Sequence, residues 1–118
     1  MATKAWYADG RRPVAKVSLS AVTASTGYGT DYDFGGVYSN LAMQVTIAGT
    51  TTNATKVWLQ GCLSTAAGYQ DVAGSTWTHA TGNATPKYVT GIPVQYLRAV
   101  LVTHSSNTPV TAYVGVAQ

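Results

Sequence analysis

Few side chains in this sequence could move a proton, attack a bond or hold a metal. There are two histidines, His79 and His104, one cysteine, Cys62, four aspartates, Asp9, Asp31, Asp33 and Asp71, and no glutamate. A hydrolytic triad needs a nucleophile beside a histidine and an acid behind it. Serines are plentiful, but no Gly-x-Ser-x-Gly turn presents one. Glycoside cleavage needs two carboxylates flanking the bond, and no motif pairs any of the aspartates. Zinc needs clustered His or Cys, which two distant histidines and a single cysteine do not supply. Asp31 and Asp33 are spaced like two oxygen ligands of a calcium loop, but no further carboxylate follows at a suitable distance. No catalytic residue, metal or cofactor is therefore expected. His79 and His104 read as ordinary strand residues, and Cys62 as a small apolar filler that cannot form an intrachain disulfide.

The remaining chemistry is that of contact. Ser25 to Gly36 packs four glycines with Tyr28, Tyr32 and Phe34 into twelve residues. It reads as a shaped irregular loop that offers flat aromatic anchors, with Asp31 and Asp33 between them. Residues 1–13 show no hydrophobic period and carry Trp6 and Tyr7 beside Arg11 and Arg12. Aromatics and arginine are the usual anchors of protein interfaces, so this stretch reads as an extended arm that docks on another surface. A frayed terminus or a first edge strand is the plainer reading. The interface candidates are thus Trp6, Tyr7, Arg11, Arg12, Tyr28, Asp31, Tyr32, Asp33 and Phe34.

These residues must be carried by strands. Gln95 to His104 is the longest unbroken β-signature, with Leu97, Ala99, Leu101 and Thr103 on one face and Tyr96, Arg98, Val100, Val102 and His104 on the other. Both faces are largely apolar, as in a central strand. Arg98 there requires a partner, or an exposed head with its stem on apolar surface. Ser105 to Pro109 is a turn, and Val110, Ala112, Val114 and Val116 alternate in a closing hairpin strand. Earlier, Val14 to Ala24 and Ser39 to Ala48 alternate in the same way. In Lys56 to Leu63, Val57, Leu59, Gly61 and Leu63 share one face, with Trp58, Gln60 and Cys62 opposite. Short strands are expected at Thr76–Thr78 and Lys87–Thr90, the second closed by Gly91-Ile92-Pro93. Asn53-Ala54-Thr55 and Asn83-Ala84-Thr85 fit the glycosylation pattern but read as turn chemistry. Seven or eight strands with no helix give an all-β fold. The expected architecture is an antiparallel β-sandwich, jelly-roll-like, over residues 14–118, with the arm before it. An immunoglobulin-type sandwich is the alternative topology, although its paired cysteines are missing.

Composition narrows the role. The 118 residues make one domain with a core large enough to stand without disulfides. Charged residues are 9% of the chain, against the usual quarter. Hydroxyls and methyls replace them, a surface suited to dense packing against neighbours. The net charge of +3 sits at the amino end, where Lys4, Arg11, Arg12 and Lys16 face only Asp9. Without a basic stripe elsewhere, nucleic acid is not an expected partner. No apolar run reaches membrane-spanning length, and no signal peptide is visible.

Val57-Trp58-Leu59-Gln60-Gly61, Trp77, Tyr96-Leu97-Arg98-Ala99 and the closing Val110-Thr111-Ala112-Tyr113-Val114 resemble small β-sandwich virion proteins of tailed bacteriophages. In those a strand ending in Leu-Gln-Gly precedes a Trp, and a Tyr-x-Arg-Ala strand leads into a hairpin. The resemblance covers residues 56–117, with Cys62 where serine is commoner. It implies a capsid decoration or minor structural protein, located in the virion after synthesis in the host bacterial cytoplasm. The implied partners are the major capsid protein or other virion subunits. Separately, pairing of the arm's positive charge with the Asp31–Asp33 loop of another copy would give a homo-oligomer, a ring or trimer. Similar strands occur in carbohydrate-binding jelly rolls. The alternative is therefore a carbohydrate- or receptor-binding module of a tail or baseplate, using Tyr28, Tyr32, Tyr69 and Trp77.

Overall fold

Alternation of side chains produces most of the strands seen in the computed structural model. It describes residues 15–24, 26–47, 55–78, 87–104 and 109–117, and the backbone of 3–4. The strands are β1 (Thr3–Lys4), β2 (Lys16–Val22), β3 (Gly27–Tyr28), β4 (Tyr32–Ile47), β5 (Thr55–Cys62), β6 (Gln70–Asp71), β7 (Trp77–Thr78), β8 (Lys87–His104) and β9 (Val110–Ala117). A 3-10 turn at Thr65–Ala67 is capped by the Ser64 hydroxyl, which accepts from the Ala66 amide. Among the described residues no helix is long and apolar enough to cross a membrane. Of the interface candidates, Trp6, Tyr7, Arg11 and Arg12 lie outside the described residues, as do His79 and the asparagines of both Asn-Ala-Thr triplets.

The hydrogen-bonded order is β2-β9-β4-β8-β5-β6, with β1 on β4, β3 on β8 and β7 on β5. Every pairing is antiparallel except the two-residue parallel contact of β1 with β4. The two long strands belong to both layers of the sandwich. Residues 40–47 of β4 pair with β9, and 40–43 of them also with residues 87–90 at the start of β8, whereas the second half of β8 lies between β5 and the β3–β4 segment. Strands that change layer do so at bulges and bends. The β4–β8 register accordingly shifts between Asp33 and Tyr38 and again before Asn40.

This layer change explains two departures from the alternation read in the sequence. Gly91-Ile92-Pro93 does not end a short strand; β8 runs through it for 18 residues. Gly91 sits at φ 87°, a conformation open to glycine at little cost, so the break signals mark a bend. Likewise Ser25 to Gly36 is not one irregular loop, because β3 occupies Gly27–Tyr28 and β4 begins at Tyr32. Tyr32 and Phe34 point inward at period two and are 8% and 1% exposed.

The core gathers the inward rows of both layers. Leu41, Met43, Val45 and Ile47 of β4 meet Val57 and Leu59 of β5, Leu97, Ala99 and Leu101 of β8, and Val110, Ala112 and Val114 of β9. At Gly61 the neighbouring strand β8 comes too close for a side chain, since a Cβ there would lie 2.6 Å from Val94 Cγ1. A bulge where Lys56 opposes Thr103 but Val57 opposes Leu101 inverts the alternation at the end of β8. Thr103 is therefore exposed and His104 is buried, opposite to the simple period-two assignment. His104 Nδ1 lies 2.8 Å from the Thr55 hydroxyl, which is itself fully buried.

The sandwich closes through one serine. Opposite Ala99 the ladder on β8 is interrupted between Tyr28 and Tyr32. There the Ala99 amide donates to Ser18 Oγ (2.9 Å), the Gly29 amide donates to the Ala99 carbonyl (2.8 Å), and Ser18 Oγ donates to the Thr30 carbonyl (2.7 Å). The Thr30 amide donates to the Ser18 carbonyl (2.7 Å), and the Tyr32 hydroxyl donates to the Val17 carbonyl (2.6 Å). Strand β2, at one end of the sheet order, is thereby tied to the middle of β8, and buried backbone groups left open by the gap are satisfied.

Candidate functional site

The outer face of the layer built on β5 and β8 carries a connected polar and aromatic cluster. Pairing sets it out in cross-strand rows. One row runs Asp71, Gln60, Arg98 across β6, β5 and β8, and the next runs Trp58, Val100, Tyr28 across β5, β8 and β3. Cross-strand partners share a face at about 5 Å, so Val100 forms a floor between two aromatic walls.

Arg98 is the centre of the first row. Its Nε and Nη2 both donate to Gln60 Oε1, at 3.0 and 2.8 Å. Gln60 Nε2 donates to Asp71 Oδ1 at 2.8 Å, and the same oxygen accepts from Trp58 Nε1 at 3.1 Å. The guanidinium lies between two rings, 4.1 Å from the centroid of Tyr28 and 4.2 Å from that of Tyr69. Each such contact contributes about 0.5–1 kcal/mol where water still reaches the pair. The Tyr69 hydroxyl donates to Asp31 Oδ2 at 2.7 Å. The charge inside the strand thus has its partners, and they are an amide and two aromatic faces.

Burial, the hydrogen bond to Asp31 and the negative charge of that carboxylate all raise the Tyr69 phenol well above its ordinary range. Raised in the folded state, it contributes stability that is complete below the unfolded pKa of about 10 and is lost as pH rises beyond it. Urea unfolding between about pH 10 and pH 12 is expected to show falling stability. Tyr69→Phe should have a shallower slope over that window and cost about 1 kcal/mol at neutral pH for the lost hydrogen bond. An unchanged slope would mean that the phenol does not titrate late.

The expected contact residues part company here. Tyr28, 68% exposed, and Asp31 join the cluster, as does Tyr69. Asp33 instead shapes its own strand, accepting from the Gly35 amide (2.9 Å) and Gln95 Nε2 (3.1 Å). Tyr32 and Phe34, expected as exposed anchors, are core residues, and so is Trp77 at 7% exposure. Alternation within 32–34 and the pairing of Trp77 with Val57 turn these rings inward. Trp58, Gln60 and Asp71 were not singled out as contact residues. The position of Trp58 and Gln60 opposite the inward row of β5 was their signal in the sequence. Asp71 gave none, because its place depends on β6 folding back onto β5. Cys62 is buried beside this cluster, and desolvation raises its thiol pKa.

A second surface lies on the outer side of the other layer. Residues 40–47 of β4 and the whole of β9 contain no charged side chain. Outward rows there pair Tyr88 with Ala42 and Gly115, and Gln44 with Tyr113. Tyr88 and Tyr113 stand 59% and 42% exposed. Ala15, Ala42, Gly115 and Tyr113 line a shallow, mostly apolar depression on this face.

No protein-family profile matches the chain, and no curated protein matches it in sequence. Its fold is similar to that in the crystal structure of the SPBc2 prophage-derived protein YomS, with a TM-score of 0.55 over 86% of this chain and 91% of that one. At 12% identity the likeness is one of fold, and it extends over most of both chains.

Proposed function

We propose that the protein is a non-enzymatic structural component of a phage particle, docking as a decoration subunit on the major capsid protein or a neighbouring virion subunit. The uncharged outer face of β4 and β9 carries this reading. A face with two exposed tyrosines over small residues is unusual on a free-standing domain, and it matches the apolar, charge-depleted centre of protein interfaces. The fold shared with a prophage-derived protein supports a phage origin. Asp31, Asp33 and Asp71 each accept hydrogen bonds from within the domain.

Docking through this face makes a clear prediction. Tyr88→Glu with Tyr113→Glu places charges where an interface centre would desolvate them. Exposed substitutions of this kind change folding stability by about 0.5 kcal/mol or less. Binding to purified shells, measured by co-sedimentation, should weaken by about tenfold or more, a loss of at least 1.4 kcal/mol. Equal loading of the wild type and the double variant would remove this face as the docking surface. Failure of the wild type to load at all would remove the decoration role.

A further inference from the structure

The trough floored by Val100 on the opposite layer has the form of a ligand site, and we infer that it binds a neutral hexopyranose unit of a glycan. The trough encloses about 330 Å³ and runs between Tyr28 and Trp58, with Gln60 and Asp71 along one side. That volume lies at the lower end of the usual range for small-ligand clefts, about 300–1,000 Å³.

Three features select the ligand class. First, one face of the Tyr28 ring is covered by the Arg98 guanidinium at 4.1 Å, yet the residue remains 68% exposed. Its other face is therefore open. Tyr69, packed on the far side of Arg98 and fixed by Asp31, keeps this stack in place. A ring held rigidly from behind is a stacking platform that loses little conformational freedom on binding. Second, Asp71 accepts both of its hydrogen bonds at Oδ1. Oδ2 meets no donor among the described residues, which leaves an acceptor for a ligand hydroxyl. An aromatic face joined to a few placed polar groups suits a sugar ring, apolar on its C–H face and hydroxylated at its rim. Third, Asp71 is the one charged residue among the described residues lining the trough, and the nearby Arg98 has its Nε and Nη2 committed to Gln60. The lining charge is negative, so sialylated, sulfated or phosphorylated glycans are disfavoured.

This site is independent of the docking face and can fail separately from it. The test uses the full chain on an array of neutral oligosaccharides built from glucose, galactose, mannose and N-acetylhexosamines, alongside sialylated and sulfated ones. Hits are then titrated calorimetrically. The expected result is binding confined to neutral glycans, weakened at least tenfold in both Tyr28→Ala and Asp71→Asn. Tyr28 is exposed, so its variant should fold, and circular dichroism checks that both variants do. The Tyr88→Glu, Tyr113→Glu protein should bind glycan like the wild type, whatever its behaviour on shells. No neutral glycan above background, a preference for anionic ones, or unchanged binding by folded Tyr28→Ala would each overturn the proposal.

Discussion

Gly29→Ala is expected to destabilise the domain by about 3 kcal/mol or more and to lower the melting temperature by roughly 12 °C. A Cβ at this position would overlap Ser18 Oγ and lie 2.6 Å from the Ser18 carbonyl oxygen and 2.8 Å from its carbon. Two of the three obstructing atoms are backbone, so a side-chain rotation cannot relieve the overlap. Relief requires β2 to move away from the β3–β4 turn. That movement would break the bonds from Thr30 to Ser18 and from Ala99 to Ser18, which join β2 to the second layer. The buried Ala99 amide would then lack a partner, at a cost of about 1–3 kcal/mol. Adding Ser18→Ala to Gly29→Ala should not rescue stability, because it removes only the hydroxyl and also deletes the acceptor. Thermal unfolding by circular dichroism reads the effect. A Gly29→Ala protein that melts with the wild type would show that the sandwich does not depend on this closure.

Phe34→Ala should cost about 3–5 kcal/mol, the usual range for emptying a large aromatic site in a packed interior. Phe34 is 1% exposed and belongs to the same core cluster as Leu19, Leu41 and Leu97. Losses of this size consume much of the stability of a domain of this length, which is about 5–15 kcal/mol. Urea titration should therefore show a large fall in midpoint. The alternative role, an exposed anchor for a partner, predicts the opposite pattern, with folding changed by less than about 0.5 kcal/mol and shell binding lost. The two measurements together separate a packing residue from a contact residue.

The reasons for the misplaced rings are local. Ser25 to Gly36 is rich in glycine and aspartate, which signals a loop, and that signal outweighed the inward alternation of Tyr32 and Phe34. The glycines permit the close approach at Gly29 and the turn at Gly35 (φ 80°), while the aromatic residues between them fill the core. Gly91-Ile92-Pro93 misleads for a related reason. A bend that carries a strand from one layer to the other uses the same residues as a turn that ends it. At Thr103 and His104 a single extra residue in the ladder reversed the faces, and strict period two cannot anticipate a bulge.

The sequence by itself determined that the fold is all-β, that Leu41, Met43, Val45 and Ile47 of β4 form an inward row, and that the chain is short of charge. These follow from local alternation and composition, which need no knowledge of the partner strand. Only the tertiary structure decided that Tyr28, Trp58, Tyr69, Asp71 and Arg98 stand together, and that Ser18 closes the sandwich against Ala99. Those contacts join residues that are distant along the chain, brought together by the pairing of β3, β5 and β6 with the strands beside them and by the approach of β2 to β8. Register and layer change arise from pairing, and pairing is a property of two strands at once.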